Sequence, residues 1–162
     1  MKIDVITVST SRFRQHGSVA GPEEAKDLSG QEILTRVRSA GHLASYSLLP
    51  DGIQPLRGRV QELAAGQSDA LVICGGTGLA PLDLSIEAVE PLYQKSIPGF
   101  GEIFRLRSLE EIGTRAMLTR ASAGVVQGVP VFCLPGSPGA ARLGTDLILL
   151  ELEHILHHVR NG

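Results

Sequence analysis

The sequence of 162 residues lacks several features that mark particular classes of protein. No apolar run approaches the roughly 20 residues that a membrane-spanning helix needs. Net charge is also small, since its formal value is -2 at pH 7. Binding to duplex nucleic acid requires a concentrated basic face, so this balance argues against nucleic acid as the main partner. We therefore expect neither a membrane nor a nucleic acid partner.

Cysteine is scarce as well, and the N-terminus does not have the layout of a signal peptide. The two cysteines, Cys74 and Cys133, lie far apart, and each ends an apolar run. Buried free thiols are the simplest interpretation, and a disulfide or a metal role is the alternative. Because the first residues pass directly into a strand pattern, we expect a cytoplasmic protein.

What is present is typical of a globular α/β protein, with 43% hydrophobic and 20% charged residues. Apolar patterns predict strands at 3–8, 43–49 and 70–74, and a hairpin over 121–134 with its turn at Gln127 and Gly128. Capping-box patterns predict helix starts at Ser29 and Ser108. Further helices are predicted to start near residues 53, 83, 99 and 138, and 9–26 is predicted to be a loop.

This order of elements predicts one domain over residues 1–162 with a three-layer α/β/α architecture. The sheet is expected to be mostly parallel with one antiparallel hairpin. Parallel strands bring their carboxyl ends to one edge, where ligands bind in open α/β sheets. Loops at that edge are therefore the first place to look for chemistry.

A glycine-rich turn follows the most apolar predicted strand. Gly75, Gly76, Thr77 and Gly78 come directly after residues 70–74, and Asp83 lies just beyond them. Such turns let backbone N–H groups approach a phosphate closely. The turn is not a P-loop, because no Gly-Lys-Ser/Thr ending follows. It also fits the dinucleotide fingerprint poorly, because a proline takes the position of the third glycine.

Two other segments should reach the same edge of the sheet. Asp51 follows the second predicted strand, and Gly136 and Ser137 follow the hairpin. Two carboxylates beside anion-binding turns suit phosphoryl or nucleotidyl transfer, in which Mg²⁺ bridges phosphate oxygens. Structural alternatives exist for each residue: Asp51 as a turn residue, and Asp83 and Ser137 as helix N-caps.

Two further groups of polar residues have simpler explanations. Glu102 could lie near the same crevice, but its spacing from Arg105 also predicts a surface ion pair. The carboxylates and histidines near the C-terminus do not have the His-Glu-x-x-His spacing of a zinc site. Histidines are favoured at the end of a helix by its dipole, so we expect no metal in that cluster.

The ordered set of short segments closely resembles the molybdenum cofactor biosynthesis MoaB/MogA family, nearer its MoaB branch, and is similar to the G domain of gephyrin-type fusion proteins. The resemblance covers nearly the whole chain. It is carried by residues 6–9, 27–30, 50–51, 75–78, 83, 87–88, 98–102, 104–105, 112–113, 118–121, 123–124 and 134–137.

The resemblance implies an adenylyltransferase that joins molybdopterin to ATP with Mg²⁺ and releases pyrophosphate. It also implies a homotrimer or a dimer of trimers, with the molybdate-inserting enzyme as a further partner. Asp51 and Asp83 would be catalytic and hold the metal. The nucleotide would contact Gly75, Gly76, Thr77 and Gly78, and the substrate would contact Ser9, Asp27, Ser29, Glu102, Gly136 and Ser137.

Two departures from the family pattern bear on activity. Leu82 stands where active members often have arginine, and Thr10 follows Ser9 where an aspartate is common. Loss of a cation beside the nucleotide would lower activity. The alternative function is therefore a carrier or scaffold that binds molybdopterin without catalysis. A molybdate-insertion role is a weaker alternative, since such proteins normally carry additional domains.

Overall fold

Six strands form one sheet in the computed structural model, which describes residues 1–161. Their spatial order is β2-β1-β3-β6-β5-β4. The strands are β1 (Lys2–Val8), β2 (Leu43–Leu49), β3 (Ala70–Cys74), β4 (Lys95–Ser96), β5 (Ser122–Val126) and β6 (Val129–Leu134).

Four of these strands are parallel, and the other two extend the sheet in antiparallel fashion. β1 pairs with β2 and β3, and β3 pairs with β6, all in parallel. The register places Thr7 beside Cys74, and Cys74 beside Leu134. The carboxyl ends of β1, β3 and β6 therefore meet at one edge. The predicted hairpin is confirmed as β5 and β6, while the short β4, which adds to β5, was not predicted.

Residues 1–161 also form six α-helices and two short 3-10 segments. The helices are α1 (Thr10–His16), α2 (Leu28–Ser39), α3 (Ile53–Ala64), α4 (Ser85–Val89), α5 (Pro98–Ile112) and α6 (Pro138–Asn161), and the 3-10 segments are Glu90–Leu92 and Gly113–Leu118. Within residues 1–161, none of the helices combines the length and apolar character that crossing a bilayer requires.

The core consists of two apolar clusters, one on each face of the sheet. On one face, Val5 of β1 packs in a cluster with Ile33 of α2 and Leu152 of α6. On the other face, Ile73 of β3 packs in a cluster with Val60 of α3. Helices thus cover both faces, and the predicted three-layer α/β/α architecture is confirmed.

Two predicted helix starts were wrong for identifiable reasons. α2 begins at Leu28, one residue before Ser29, because the Asp27 carboxylate caps it by accepting from the Gly30 N–H at 3.0 Å. The Ser29 hydroxyl donates to the Gly136 carbonyl instead, at 2.7 Å. Ser108 starts no helix, since it lies buried inside the continuous α5.

Two further predictions at the functional edge need correction. Part of the predicted loop over 9–26 is α1, a helix with no buried residue and therefore no apolar periodicity to reveal it. Asp83 does not start α4, which begins at Ser85 with Leu84 as its N-cap. The Asp83 carboxylate accepts from the Ala80 N–H at 2.9 Å, so it closes a turn that precedes the helix.

Two helical glycines make a matched test of packing between α6 and the sheet. A Cβ at Gly144 would collide with the side chain of Leu134, whereas a Cβ at Gly58 of α3 meets nothing within 4 Å. We expect Gly58→Ala to raise the free energy of unfolding by about 0.5–1 kcal/mol through helix propensity. Gly144→Ala should lower it by roughly 1 kcal/mol, because overpacking costs about 1–3 kcal/mol.

Urea denaturation of both variants gives the two free energies, and equal m-values would show that only stability has changed. An equal stabilisation by both substitutions would contradict the close contact of α6 with β6.

Candidate functional site

A cavity of about 270 Å³ opens at the carboxyl edge of the parallel strands. It is enclosed by the ends of β1 and β3, the N-terminus of α1, and the turns after β2 and β6. Its lining brings together seven of the residues predicted to form the site, namely Ser9, Asp27, Asp51, Gly75, Gly76, Asp83 and Gly136.

The glycine turn fits this edge only because it has no side chains at its first two positions. Gly75 has a φ of 101°, and a Cβ there would overlap the Val8 carbonyl of the neighbouring strand. Gly76 has a φ of 64°, and its Cβ would overlap the Ser85 hydroxyl. Both φ values lie where L side chains are strained. The turn can therefore press against β1 and α4 at once.

Three N–H groups of the turn have no acceptor among the residues that the structure describes. Gly75 N–H donates to the Leu134 carbonyl at 3.0 Å, so it is committed to β6. The N–H groups of Gly76, Thr77 and Gly78 donate no hydrogen bond within residues 1–161. Free amides in a glycine-rich turn are the donors that bind phosphate oxygens.

Asp51 is fixed at the cavity by its hydrogen bonds with Thr10. The Thr10 hydroxyl donates to Asp51 Oδ2 at 2.6 Å, and the Thr10 N–H donates to the same oxygen at 2.9 Å. The Asp51 N–H donates back to Thr10 Oγ1 at 2.9 Å. Threonine can make this reciprocal pair and an ionised aspartate cannot, because a carboxylate has no proton to donate. Thr10 thus orients Asp51 and leaves Oδ1 for a ligand.

Asp83 lies on the other side of the glycine turn. Its Oδ2 accepts from the Ala80 N–H. The same oxygen lies so close to Gly78 that a Cβ on that residue would be only 2.5 Å away. The carboxylate is thus tied to the far end of the turn through both neighbours. Asp51 and Asp83 face the same cavity from opposite ends of the glycine turn.

Buried polar groups form the floor of the cavity. Asp27 accepts from the Tyr46 hydroxyl at 2.7 Å, and burial, followed by this bond, raises the pKa of Tyr46, which keeps the phenol protonated. Burial also raises the pKa of the Cys74 thiol to about 12. The predicted buried free thiols are confirmed at Cys74 and Cys133, and a thiol of such high pKa is a poor nucleophile.

Thr7 presents a buried hydroxyl to the cavity. Its Oγ1 forms no hydrogen bond in the part of the chain that the structure describes. Unpaired buried polar groups are rare and costly.

Leu82 brings no positive charge to the site, and Arg12 supplies one instead. Its side chain lines the cavity, and its charge opposes the rise in the pKa of both Tyr46 and Cys74. Leu82 is 67% exposed and is not among the residues that line the cavity. Sequence analysis missed Arg12 because α1 gives no apolar signal.

Arg120 is a second residue whose role the sequence did not reveal. It donates to the Thr77 carbonyl at 2.9 Å, to the Gly78 carbonyl at 2.7 Å and to the Asp83 carbonyl at 3.2 Å. It also forms an ion pair with Glu87 at 2.5 Å. The Arg120 side chain therefore links the glycine turn to the backbone at Asp83.

Five of the residues predicted to form the site do not line the cavity. Thr77 and Gly78 belong to its turn but are not among the residues that line it, and Ser29 is buried against Gly136. The Ser137 hydroxyl accepts from the Ala140 N–H at 3.2 Å, so the alternative role of Ser137 as the N-cap of α6 is confirmed. Glu102 faces a separate, larger cavity of about 750 Å³.

The expected ion pair of Glu102 with Arg105 does not form in residues 1–161. Both side chains line the larger cavity, together with Arg120 and Glu87. Arg120 thus lies between the two cavities.

The donor set of the small cavity fits a magnesium ion only when a ligand contributes oxygens. No group of three or more His, Cys, Asp or Glu side chains converges anywhere in residues 1–161. Asp51 and Asp83 offer two carboxylates, and Mg²⁺ is commonly held by one or two carboxylates together with substrate phosphates and water. The residues therefore fit a metal that arrives with phosphates.

Comparison with known proteins gives a consistent result. Residues 4–154 match a family described as a probable molybdopterin binding domain. Molybdenum cofactor biosynthesis protein B of Bacillus subtilis is 40% identical, over 99% of this chain and 91% of its own length. A Pyrococcus furiosus protein named molybdopterin adenylyltransferase is 38% identical, over 98% of this chain and 91% of its own length.

The structural comparison agrees. The crystal structure of the tungsten cofactor synthesizing protein MoaB from Pyrococcus furiosus superimposes with a TM-score of 0.85 at 37% identity, and covers 98% of this chain and 96% of that chain. The chain belongs to the MoaB/MogA family of molybdenum cofactor biosynthesis proteins, whose domain is described as a probable molybdopterin binding domain.

Proposed function

We propose that the protein adenylylates molybdopterin with ATP in the presence of Mg²⁺, giving adenylyl-molybdopterin and pyrophosphate. The observation that carries this proposal is the placement of Asp51 and Asp83 around one cavity, on either side of the free amides of the glycine turn. A relative named molybdopterin adenylyltransferase, 38% identical over 98% of the chain, supports the choice of reaction.

The reaction requires an oxygen of the molybdopterin phosphate to attack the α-phosphorus of ATP. A new P–O bond forms there as the bond from the α-phosphorus to the bridging oxygen breaks, and pyrophosphate leaves with that electron pair. Little covalent chemistry falls to the protein in such transfers, so its task is to position the groups and stabilise charge. The free amides of Gly76, which lines the cavity, and of Thr77 and Gly78, which continue the turn beyond it, are the groups that would hold the phosphates.

Charge supports the proposal that the nucleotide binds with magnesium. Asp27, Asp51 and Asp83 face the cavity, and Arg12 is the one basic side chain among the residues that line it. A bare triphosphate would be repelled by three carboxylates, whereas Asp51 and Asp83 would hold a divalent cation whose charge would offset that repulsion. When bound, the metal would supply Lewis-acid polarisation of the phosphate oxygens.

Size indicates which part of the ligand the cavity holds. Its volume of about 270 Å³ is at the lower limit of ligand pockets, which span about 300–1,000 Å³. We propose that it holds the phosphates, with the adenosine and the pterin lying along the open edge. Since the reaction consumes ATP, we propose the cytoplasm as its compartment and the molybdate-inserting enzyme as the recipient of the product.

Asp83→Asn tests the metal role without disturbing the fold. The amide oxygen of asparagine can still accept from the Ala80 N–H, so the turn should survive, but the negative charge is lost. We expect pyrophosphate release with molybdopterin and Mg·ATP to fall by at least about 100-fold, in line with the loss of one preorganised electrostatic contact. Asp146→Asn, at a partly exposed carboxylate of α6 that pairs with Arg36 and does not line the cavity, is the matched control.

Undiminished turnover of Asp83→Asn would remove Asp83 from the mechanism.

Calorimetry on the unmodified protein separates the reaction from the non-catalytic alternative. A carrier or scaffold would bind molybdopterin, show no affinity for Mg·ATP and release no pyrophosphate. Arg12 favours the enzyme, because it replaces the cation whose absence at Leu82 suggested a carrier.

We further propose that the protein assembles as a homotrimer or a dimer of trimers. Large apolar side chains are exposed along α5 and the 3-10 segment that follows it, and an apolar surface of this kind marks an interaction site. Leu106 is 61% exposed and Met117 is 80% exposed. The set comprises Ile103, Leu106, Leu109, Ile112, Met117 and Leu118.

Sedimentation equilibrium at micromolar concentration should give three or six times the 17.2 kDa of the chain. Leu106→Asp should shift the mass toward the monomer, because burying an unpaired charge in an apolar interface is costly. Leu150→Asp, at a residue of α6 that is 76% exposed, should leave the mass unchanged. A monomer in the unmodified protein would contradict the proposed assembly.

A further inference from the structure

We infer that Ser85 and Arg120 are positioning residues that aim the three free amides of the glycine turn at the nucleotide phosphates. The inference rests on the proposed function, and it adds a role that the sequence pattern does not assign to either residue. Neither side chain lines the small cavity, so each would act through the turn.

The geometry of the peptide unit couples each carbonyl to the N–H that follows it. In a planar trans peptide, the C=O of one residue and the N–H of the next point in opposite directions. A hydrogen bond that fixes a carbonyl therefore fixes the direction of the following N–H. A donor that binds a carbonyl on one side of the turn therefore directs the next N–H to the opposite side.

Each free amide of the turn follows a carbonyl that is held in this way. The Ser85 hydroxyl donates to the Gly75 carbonyl at 2.7 Å, which orients the N–H of Gly76. The Ser85 N–H donates to the Gly76 carbonyl at 2.9 Å, which orients the N–H of Thr77. Arg120 Nε donates to the Thr77 carbonyl at 2.9 Å, which orients the N–H of Gly78.

Arg120 also binds the backbone at the end of the turn. Its second nitrogen donates to the Gly78 carbonyl at 2.7 Å and to the Asp83 carbonyl at 3.2 Å, so one planar group spans three carbonyls. The ion pair with Glu87 holds the guanidinium in place, and the hydrogen bond in that pair raises the pKa of Arg120 and lowers the pKa of Glu87. Lysine has no rigid fork of donors and could not span these carbonyls.

A purely structural role for Arg120 makes a different prediction from a positioning role. If Arg120 only stabilised the fold, its loss would lower the melting temperature, and the molecules that remain folded would bind nucleotide normally. If it orients the amides, affinity for the nucleotide should fall while the melting temperature changes little. Asp51 and Asp83 are retained in either case, so turnover at saturating nucleotide would be affected less than affinity.

The test is calorimetric titration with Mg²⁺ and a non-hydrolysable ATP analogue, together with steady-state pyrophosphate release. Arg120→Met and Arg120→Lys should each weaken analogue binding and raise the KM for ATP about tenfold or more, as expected for loss of an oriented hydrogen bond to a charged group. The kcat should change less than the KM. Ser85→Ala removes only the bond to the Gly75 carbonyl and keeps that of the Ser85 N–H, so it should weaken binding in the same direction through the Gly76 amide.

Arg142→Met is the matched control. Arg142 also binds a glutamate through its guanidinium, with both Glu111 oxygens at 2.9 Å, but it contacts no carbonyl of the turn. It should bind the analogue like the unmodified protein. If Arg120→Met fails to fold, Arg120→Lys and Ser85→Ala decide the question.

The outcomes separate this inference from the proposed function. If the unmodified protein binds no Mg·ATP analogue, the proposed function fails and the positioning role fails with it. Unchanged analogue affinity in Arg120→Lys and Ser85→Ala, with normal binding by the unmodified protein, would overturn the positioning role alone.

Discussion

The close approach of the turn after β3 to the end of β1 is the constraint on which the rest of the site depends. Gly75 lies against the Val8 carbonyl so tightly that no side chain fits, and its N–H is tied to β6 through Leu134. The turn is thereby fixed between the two neighbouring strands. Only in this position do Asp51, which follows β2, and Asp83, which follows the turn, face one cavity.

Sequence analysis predicted the features that buried strands and glycines determine. The three parallel strands, the hairpin and the convergence of Asp51, Asp83 and Gly136 follow from apolar runs whose ends meet at one edge. The predictions failed where polar side chains compete for the backbone. Ser29 has the pattern of an N-cap, but its neighbour Asp27 makes that bond, and a single sequence does not reveal which of two adjacent caps is used.

The two departures from the family pattern have a physical interpretation once the fold is known. Thr10 makes a reciprocal hydrogen-bonded pair with Asp51, which an aspartate at the same position could not make without being protonated. Leu82 is exposed to solvent and does not line the cavity, whereas Arg12 does line it and brings a cation there. Neither could be foreseen, because α1 carries no apolar periodicity and distant residues meet only in the folded chain.

The carboxylates and the amides of this site differ in how they interact with phosphates. Carboxylates alone would repel phosphates, and amides alone would bind an anion without distinguishing a nucleotide that carries a metal from one that does not. With Asp51 and Asp83 lining the cavity beside these amides, the proposed site would favour an anion accompanied by a divalent cation. The orientation of those amides then depends on residues behind the turn, Ser85 and Arg120, which never reach the cavity. Selectivity for a metal-bound nucleotide would therefore depend on groups that do not touch it.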